Sequence, residues 1–189
     1  MRKIIAIVGD ATVEPNGKKH QVAFDLGRAL VDAGYRVQTG GRAGVMESAL
    51  KGAKTSKKYR EGDTIAITPF FDRAKVNPYA DIVIATGLDF HRNNIVINAD
   101  AVVVVGGGAG TLSEIAAAWH LLRPIIGFKN VDGWSSRIAD QAVDHRNRFP
   151  DVPNDRVWGV TTSKEVVDLL EELLPKYSNA RYEGIYTRP

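Results

Sequence analysis

The residues best placed for chemistry stand in GGGAGTLSE, Gly106 to Glu114. Glycine accepts positive φ and lets a ligand approach the backbone closely. Gly107, Gly108 and Gly110 therefore offer amides, Thr111 a hydroxyl and Glu114 a carboxylate. Where such a turn opens a helix, unpaired N–H groups and the positive end of the helix dipole favour an anion such as phosphate. The run is not the dinucleotide fingerprint, and no Gly-Lys-Ser/Thr follows to make a P-loop. Thr111 and Glu114 also have the T-x-x-E spacing of a capping box, which accounts for both without a ligand. A second turn, GGRAGVME, brings Gly40, Gly41, Arg42, Gly44 and Met46. Two such turns in one small domain favour a phosphate or nucleotide site. Arg92, beside His91 in FHRNN, could fork onto a phosphate or carboxylate. The alternatives are an exposed arginine or one paired with Asp89 or Asp100, and a lone His91 is more often structural.

These groups need a scaffold, and the pattern supplies one. Lys3–Val8, Arg36–Thr39, Thr64–Thr68, Asp81–Ala85, Ala101–Val105, Pro124–Phe128 and Arg156–Thr161 read as short strands. Runs such as AVVVV do not alternate, which suits strands buried on both faces of a parallel sheet. Between them, Lys18–Ala33, the stretch from Val45 to Ala53, Phe90–Asn98, a helix opened by Thr111 and Val131–Asp144 read as helical. Ser163 caps a last amphipathic helix that Pro175 ends. The order predicts one α/β domain, residues 1–174, with a single doubly wound, mostly parallel, Rossmann-like sheet. Ligands bind at the strand ends of such a sheet. Residues 175–189, with Tyr177, Tyr182 and Tyr186, are expected to form a C-terminal tail or arm. Phe70 and Phe71, just beyond a strand end, could flank a planar ring or pack the loop onto the core. The apolar helix with Trp119 could pack inside the monomer or across a dimer.

Composition excludes several classes. With 189 residues, 44% hydrophobic and 25% charged, the chain has an ordinary globular make-up. A net charge of +3 without a concentrated basic stripe argues against nucleic acid. The basic run Lys51–Arg60 reads first as a solvated helix end. The absence of cysteine excludes disulfides, thiolate metal sites and cysteine nucleophiles, and no metal site is expected. No apolar run approaches the ~20 residues that span a bilayer. With no signal-peptide pattern at MRKIIAIVGD, the expectation is a cytoplasmic protein without membrane contact.

GGRAGVME and GGGAGTLSE together resemble the two signatures of the LOG-like Rossmann superfamily, once labelled lysine decarboxylase-like. The resemblance covers roughly Lys3 to Leu174. Phosphoribohydrolases of that superfamily carry P-G-G-x-G-T-x-x-E. Gly107, Gly108, Gly110, Thr111 and Glu114 match it, while Gly106 replaces the proline and Ser113 stands where a second glutamate often occurs. GGRAGVME, TGLDF-x-R, the GGG start and the later Asp132-Gly133-Trp134 more closely resemble molybdenum cofactor carrier-like proteins. That resemblance implies a bound nucleotide or molybdenum cofactor (a phosphorylated pterin), no further required cofactor, and a homo-oligomer. A more distant similarity reaches the Rossmann domain of DNA-processing proteins.

Two functions follow. In the first, the Gly107–Thr111 amides hold a phosphate, the Gly40–Gly44 turn approaches the ligand body, and Arg42 or Arg92 balances charge. In the second, a nucleoside 5′-monophosphate loses its base by N-glycosidic hydrolysis, with Glu114 stabilising the cationic sugar or activating water and Arg92 orienting phosphate or base. Lysine decarboxylation is rejected, because no lysine is singled out to hold pyridoxal phosphate.

Overall fold

A computed structural model describes residues 1–149 and 152–177. The unalternating apolar runs all become strands: β1 (Ile4–Gly9), β2 (Arg36–Thr39), β3 (Thr64–Thr68), β4 (Ile82–Ala85), β5 (Ala101–Val105), β6 (Ile125–Phe128) and β7 (Val157–Val160). They form one sheet in the order β4-β3-β2-β1-β5-β6-β7, and every pairing is parallel. The helices are α1 (Lys18–Asp32), α2 (Val45–Lys54), α3 (Asn93–Val96), α4 (Ala109–His120), α5 (Trp134–Ile138) and α6 (Ser163–Tyr177). This is the doubly wound, Rossmann-like α/β fold. The chain builds outward from β1 to β4, then crosses back to place β5 against β1. That reversal opens a crevice beyond the carboxyl ends of β1 and β5.

Side-chain alternation divides the core between the two faces of the sheet. Ile5, Ile7, Val103 and Val105 meet Leu26, Leu30, Leu50 and Leu170 on one face. Ala6, Val8, Val102 and Val104 meet Val96, Ile115 and Trp119 on the other. All of β5 is 0% exposed, so the strand leading to the glycine turn is anchored from both sides. Trp119 belongs to the monomer core, with its indole N–H donated to Asp144 at 3.1 Å. Among the described residues, no helix is long and apolar enough to cross a membrane.

Four helix boundaries differ from the sequence expectation. First, α4 begins at Ala109 with Gly108 as its N-cap, not at Thr111. Gly106 (φ 66°) and Gly107 (φ 99°) complete the reversal early, so Thr111 and Glu114 already lie inside the helix. No side chain caps it, and the capping-box reading of Glu114 is overturned. Second, the long helix expected over Val131–Asp144 is only α5. Asp140 holds φ 63° and accepts the Gly159 N–H at 3.0 Å, which diverts the chain toward β7. Third, Phe90–Asn98 is a tight 3-10 turn, Asp89–Arg92, running into the short α3. Fourth, α6 passes through Pro175 to Tyr177. The buried Tyr177 ring packs on Phe149 at 4.3 Å and its hydroxyl donates to Asp155, which holds the last turn in place. Tyr182 and Tyr186 lie outside the described residues.

Candidate functional site

The crevice at the sheet reversal is a cleft of about 310 Å³, the lower end of the range for small-molecule sites. Its floor comes from Val8, Gly9 and Asp10 at the end of β1. Gly108, Gly110, Thr111 and Glu114 of the central turn and α4 form one wall. Gly40, Arg42 and Met46 stand after β2, and Pro69, Asp89 and Phe90 close the remaining side.

Each glycine of the two turns has its own physical reason. A Cβ at Gly108 or Gly110 would meet nothing within 4 Å, so these backbones face open space. The amides of Ala109, Gly110 and Thr111 head α4 and have no intrahelical acceptor. Gly107 is different: its N–H donates to Asp10 Oδ2 at 2.9 Å, and its positive φ lets Thr111 pack against it. Asp10 is in turn paired with Lys19 at 2.8 Å. The Gly106 N–H is taken by Ser135 Oγ at 2.8 Å. Gly107 thus shapes the turn and does not offer its amide to the cleft.

The second turn divides in the same way. A Cβ at Gly40 would stand 2.6 Å from Arg92 Nη2, so the bare backbone is what lets the guanidinium lie across it. Gly41 (φ 71°) packs toward Ala66, and Gly44 (φ 69°) presses on the Asp10 carbonyl. These two fix the loop and lie outside the main cleft.

Arg92 and Glu114 meet at its base. Arg92 Nη1 donates to Glu114 Oε1 at 3.3 Å and to Asn93 Oδ1 at 2.7 Å. Asn93 Nδ2 continues to Ser113 Oγ at 3.2 Å, tying α3 to α4. Both members of the ion pair are buried, and Arg92 Nε has no hydrogen-bond partner among the described residues. Asp100, the other partner weighed for Arg92, pairs with Lys3 instead at 2.9 Å. Burial pushes the Glu114 carboxyl up to about 7, with the Arg92 charge pulling the other way. Burial likewise lowers the Arg92 pKa against the opposing pull of Glu114. The guanidinium stays charged. A carboxyl poised near neutrality beside a fixed cation can hold, give or take a proton.

Asp10, Asp89, Phe90 and Asn93 were not singled out from the sequence as cleft residues. Asp10 follows directly on β1, so topology alone could have flagged it. Asp89 owes its place to φ 46°, a conformation without a sequence signal at an aspartate. The aromatic pair Phe70 and Phe71 does not flank the cleft. Phe71 is 87% exposed and covers Gly87, and Phe90 provides the aromatic wall.

Comparison with known proteins agrees with this architecture. A molybdenum cofactor binding protein from Rippkaea orientalis is 31% identical, with TM-score 0.74 over 92% of this chain and 98% of that one. The molybdenum cofactor carrier protein of Chlamydomonas reinhardtii is 26% identical, with TM-score 0.73 over 93% of this chain and 100% of its own. An uncharacterized protein of Archaeoglobus fulgidus is 38% identical over 117 residues, 60% of this chain and 72% of that protein. The SLOG cluster4 family model matches residues 2–156, and the chain belongs to that family, within the LOG-like Rossmann superfamily.

Proposed function

We propose that this protein binds a phosphorylated small molecule, a molybdenum cofactor or a nucleotide, and acts as its carrier. The observation that carries the reading is one convergence. The free amides of the α4 turn, Arg42 and the buried Arg92–Glu114 pair all face the crevice at the sheet reversal. The likeness to molybdenum cofactor carriers supports it. The phosphate sits on the amides of Gly108 to Thr111, with the Thr111 hydroxyl as a further donor and the helix dipole behind them. Arg42 balances the charge. Val8 and Met46 give the ligand body an apolar floor. Glu114 lies one turn farther along α4 and meets a neutral part of the ligand.

The test is thermal unfolding with isolated molybdenum cofactor and with nucleoside monophosphates. A ligand at ~100 times its dissociation constant adds ~2.7 kcal/mol of stability. The absence of any shift across both classes overturns the reading.

The Glu114–Arg92 pair favours a second reading, N-glycosidic hydrolysis of a nucleoside 5′-monophosphate. The C1′–N bond breaks, water supplies hydroxyl to C1′, and the base leaves with a proton. Glu114 as carboxylate stabilises the developing sugar cation. Release of free base would then fall ~10²–10⁴-fold in Glu114→Gln. Wild-type protein that cleaves no nucleoside monophosphate ends this reading and leaves the first intact. The family resemblance also supports a homo-oligomer. The outward-facing Ile82 and Ile84 of the edge strand β4, 42% and 46% exposed, suit contact with a second copy. Light scattering of Ile84→Asp reads this directly, and an unchanged mass removes β4 from the interface.

A further inference from the structure

Which ring the cleft reads is set at its far end, on the reading of the cleft as a site for a phosphorylated ligand. Hydrogen-bond donors gather at one end, where α4 begins. The other end is built differently. Phe90 lines the cleft and is 55% exposed, an aromatic face left to solvent. Asp89 precedes it, held at φ 46° with its N–H donated to the Pro69 carbonyl at 3.2 Å. Asp89 lines the cleft, is exposed, and its carboxylate accepts no hydrogen bond among the described residues. Arg92 attracts it electrostatically, but Arg92 Nη1 is committed to Asn93 and Glu114. A ligand that fills this cleft with its phosphate on α4 therefore brings a planar face to Phe90 and donors to Asp89.

We propose that Asp89 and Phe90 select a 2-amino-4-oxopyrimidine edge, the edge that guanine and pterin share. That edge carries a ring N–H and an exocyclic amino group side by side. Both point the same way, as the two oxygens of a carboxylate require. Adenine sets a donor beside a ring-nitrogen lone pair, which faces the second carboxylate oxygen unfavourably. Hypoxanthine keeps the ring N–H and lacks the amino group. Phe90 stacks on any of these rings, so it contributes affinity without choosing among them.

Calorimetric titration of wild type and variants with GMP, IMP, AMP and 6-hydroxymethylpterin phosphate tests this. Wild type binds GMP or the pterin phosphate at least about tenfold tighter than IMP or AMP, because a hydrogen bond to a charged group is at stake. Asp89→Ala erases that ratio: AMP stays within about twofold of wild type, while IMP weakens less than GMP, because IMP loses one N–H contact and GMP two. Asp89→Asn tolerates the left-handed backbone, so it serves as the fold-safe variant. It moves preference toward AMP, because an amide matches adenine's donor and acceptor together. Phe90→Leu weakens all four ligands alike. A tight GMP with a weak pterin phosphate names a guanine nucleotide as the ligand class, and the reverse names a phosphorylated pterin. Equal binding of all four to wild type overturns the assignment to Asp89 while the phosphate reading stands. Binding of none overturns both.

Discussion

Alanine at Gly40 isolates the part of the site that depends on Arg92. The added methyl would lie 2.6 Å from Arg92 Nη2 and 2.8 Å from Cζ, too close for either to stay. Gly40 is not among the positive-φ residues, so its backbone accepts alanine. The guanidinium is the far end of a flexible side chain and is what gives way. Moving it releases Nη1 from Asn93 at 2.7 Å and from Glu114 at 3.3 Å. A charge-assisted bond is worth ~1.5–3 kcal/mol, and the lower entropy of the unfolded alanine chain returns ~0.4–1 kcal/mol. With both bonds released the net loss is about 2–5 kcal/mol, read by urea denaturation. A ligand that relies on Arg92 binds ~10–150-fold more weakly, read by calorimetry. Glu114, deprived of its cation, titrates above its native value of about 7, read by carboxyl NMR. Native affinity with an unmoved Glu114 titration refutes the argument that Gly40 exists to seat Arg92. A loss above about 6 kcal/mol shows that the backbone, not the arginine tip, yields.

The remaining predictions use the same contacts. Glu114 has its folded pKa raised from 4.5 to about 7, so the native state holds this proton more tightly than the unfolded chain does. Stability is therefore highest below pH 4.5 on this account and falls as pH rises through about 7, by on the order of 3 kcal/mol. Glu114→Gln flattens that slope in unfolding curves across pH 5–8. Asp81 behaves oppositely. Burial would raise its pKa, but Lys54, Tyr59 and the Thr64 and Gly62 contacts outweigh it and hold it at about 2. Its contribution is present above pH 3.8 and is lost as pH falls through about 2. Asp81→Asn costs about 2 kcal/mol at pH 7 and removes that acid-side loss. Gly108→Ala keeps stability within about 0.5 kcal/mol yet lowers ligand affinity at least tenfold, since its methyl enters open cleft. Gly107→Ala fails earlier, losing more than about 2 kcal/mol, because φ 99° and a 2.4 Å approach to Thr111 Cβ both oppose it.

The sheet was legible because strands buried on both faces need unbroken apolar runs, and IIAIV and AVVVV have no other soluble use. Helix starts were less legible. The beginning of α4 depends on two successive positive φ values, and a run of glycines does not say which members will take them. The same ambiguity blurs the site. A glycine is demanded either where a ligand must approach or where the backbone must turn, and the letter is the same. Gly108 and Gly110 border open space, where the first demand can act; Gly41, Gly44 and Gly107 answer the second. Gly40 answers neither, since its missing side chain makes room for an arginine 52 positions away in sequence. Only the fold brings those two residues together, and no local pattern could have paired them.

That pairing bears on how one cleft serves a carrier or a hydrolase. Asp10 already occupies the Gly107 amide, so on the proposed reading a phosphate would sit farther along α4, toward Thr111 and thus toward Glu114. An ionised Glu114 one turn away would repel it. Burial eases the conflict by pushing the carboxyl up to about 7, while Arg92 offsets the charge of its ionised form. A carrier needs this proton in place, because a neutral acid lets a dianion settle on the helix start. A hydrolase needs it gone, because only a carboxylate can stabilise a sugar cation. The two activities therefore ask opposite protonation states of one residue. On the proposed reading, the burial that raises Glu114 against a cation at 3.3 Å works toward holding a ligand and against breaking it.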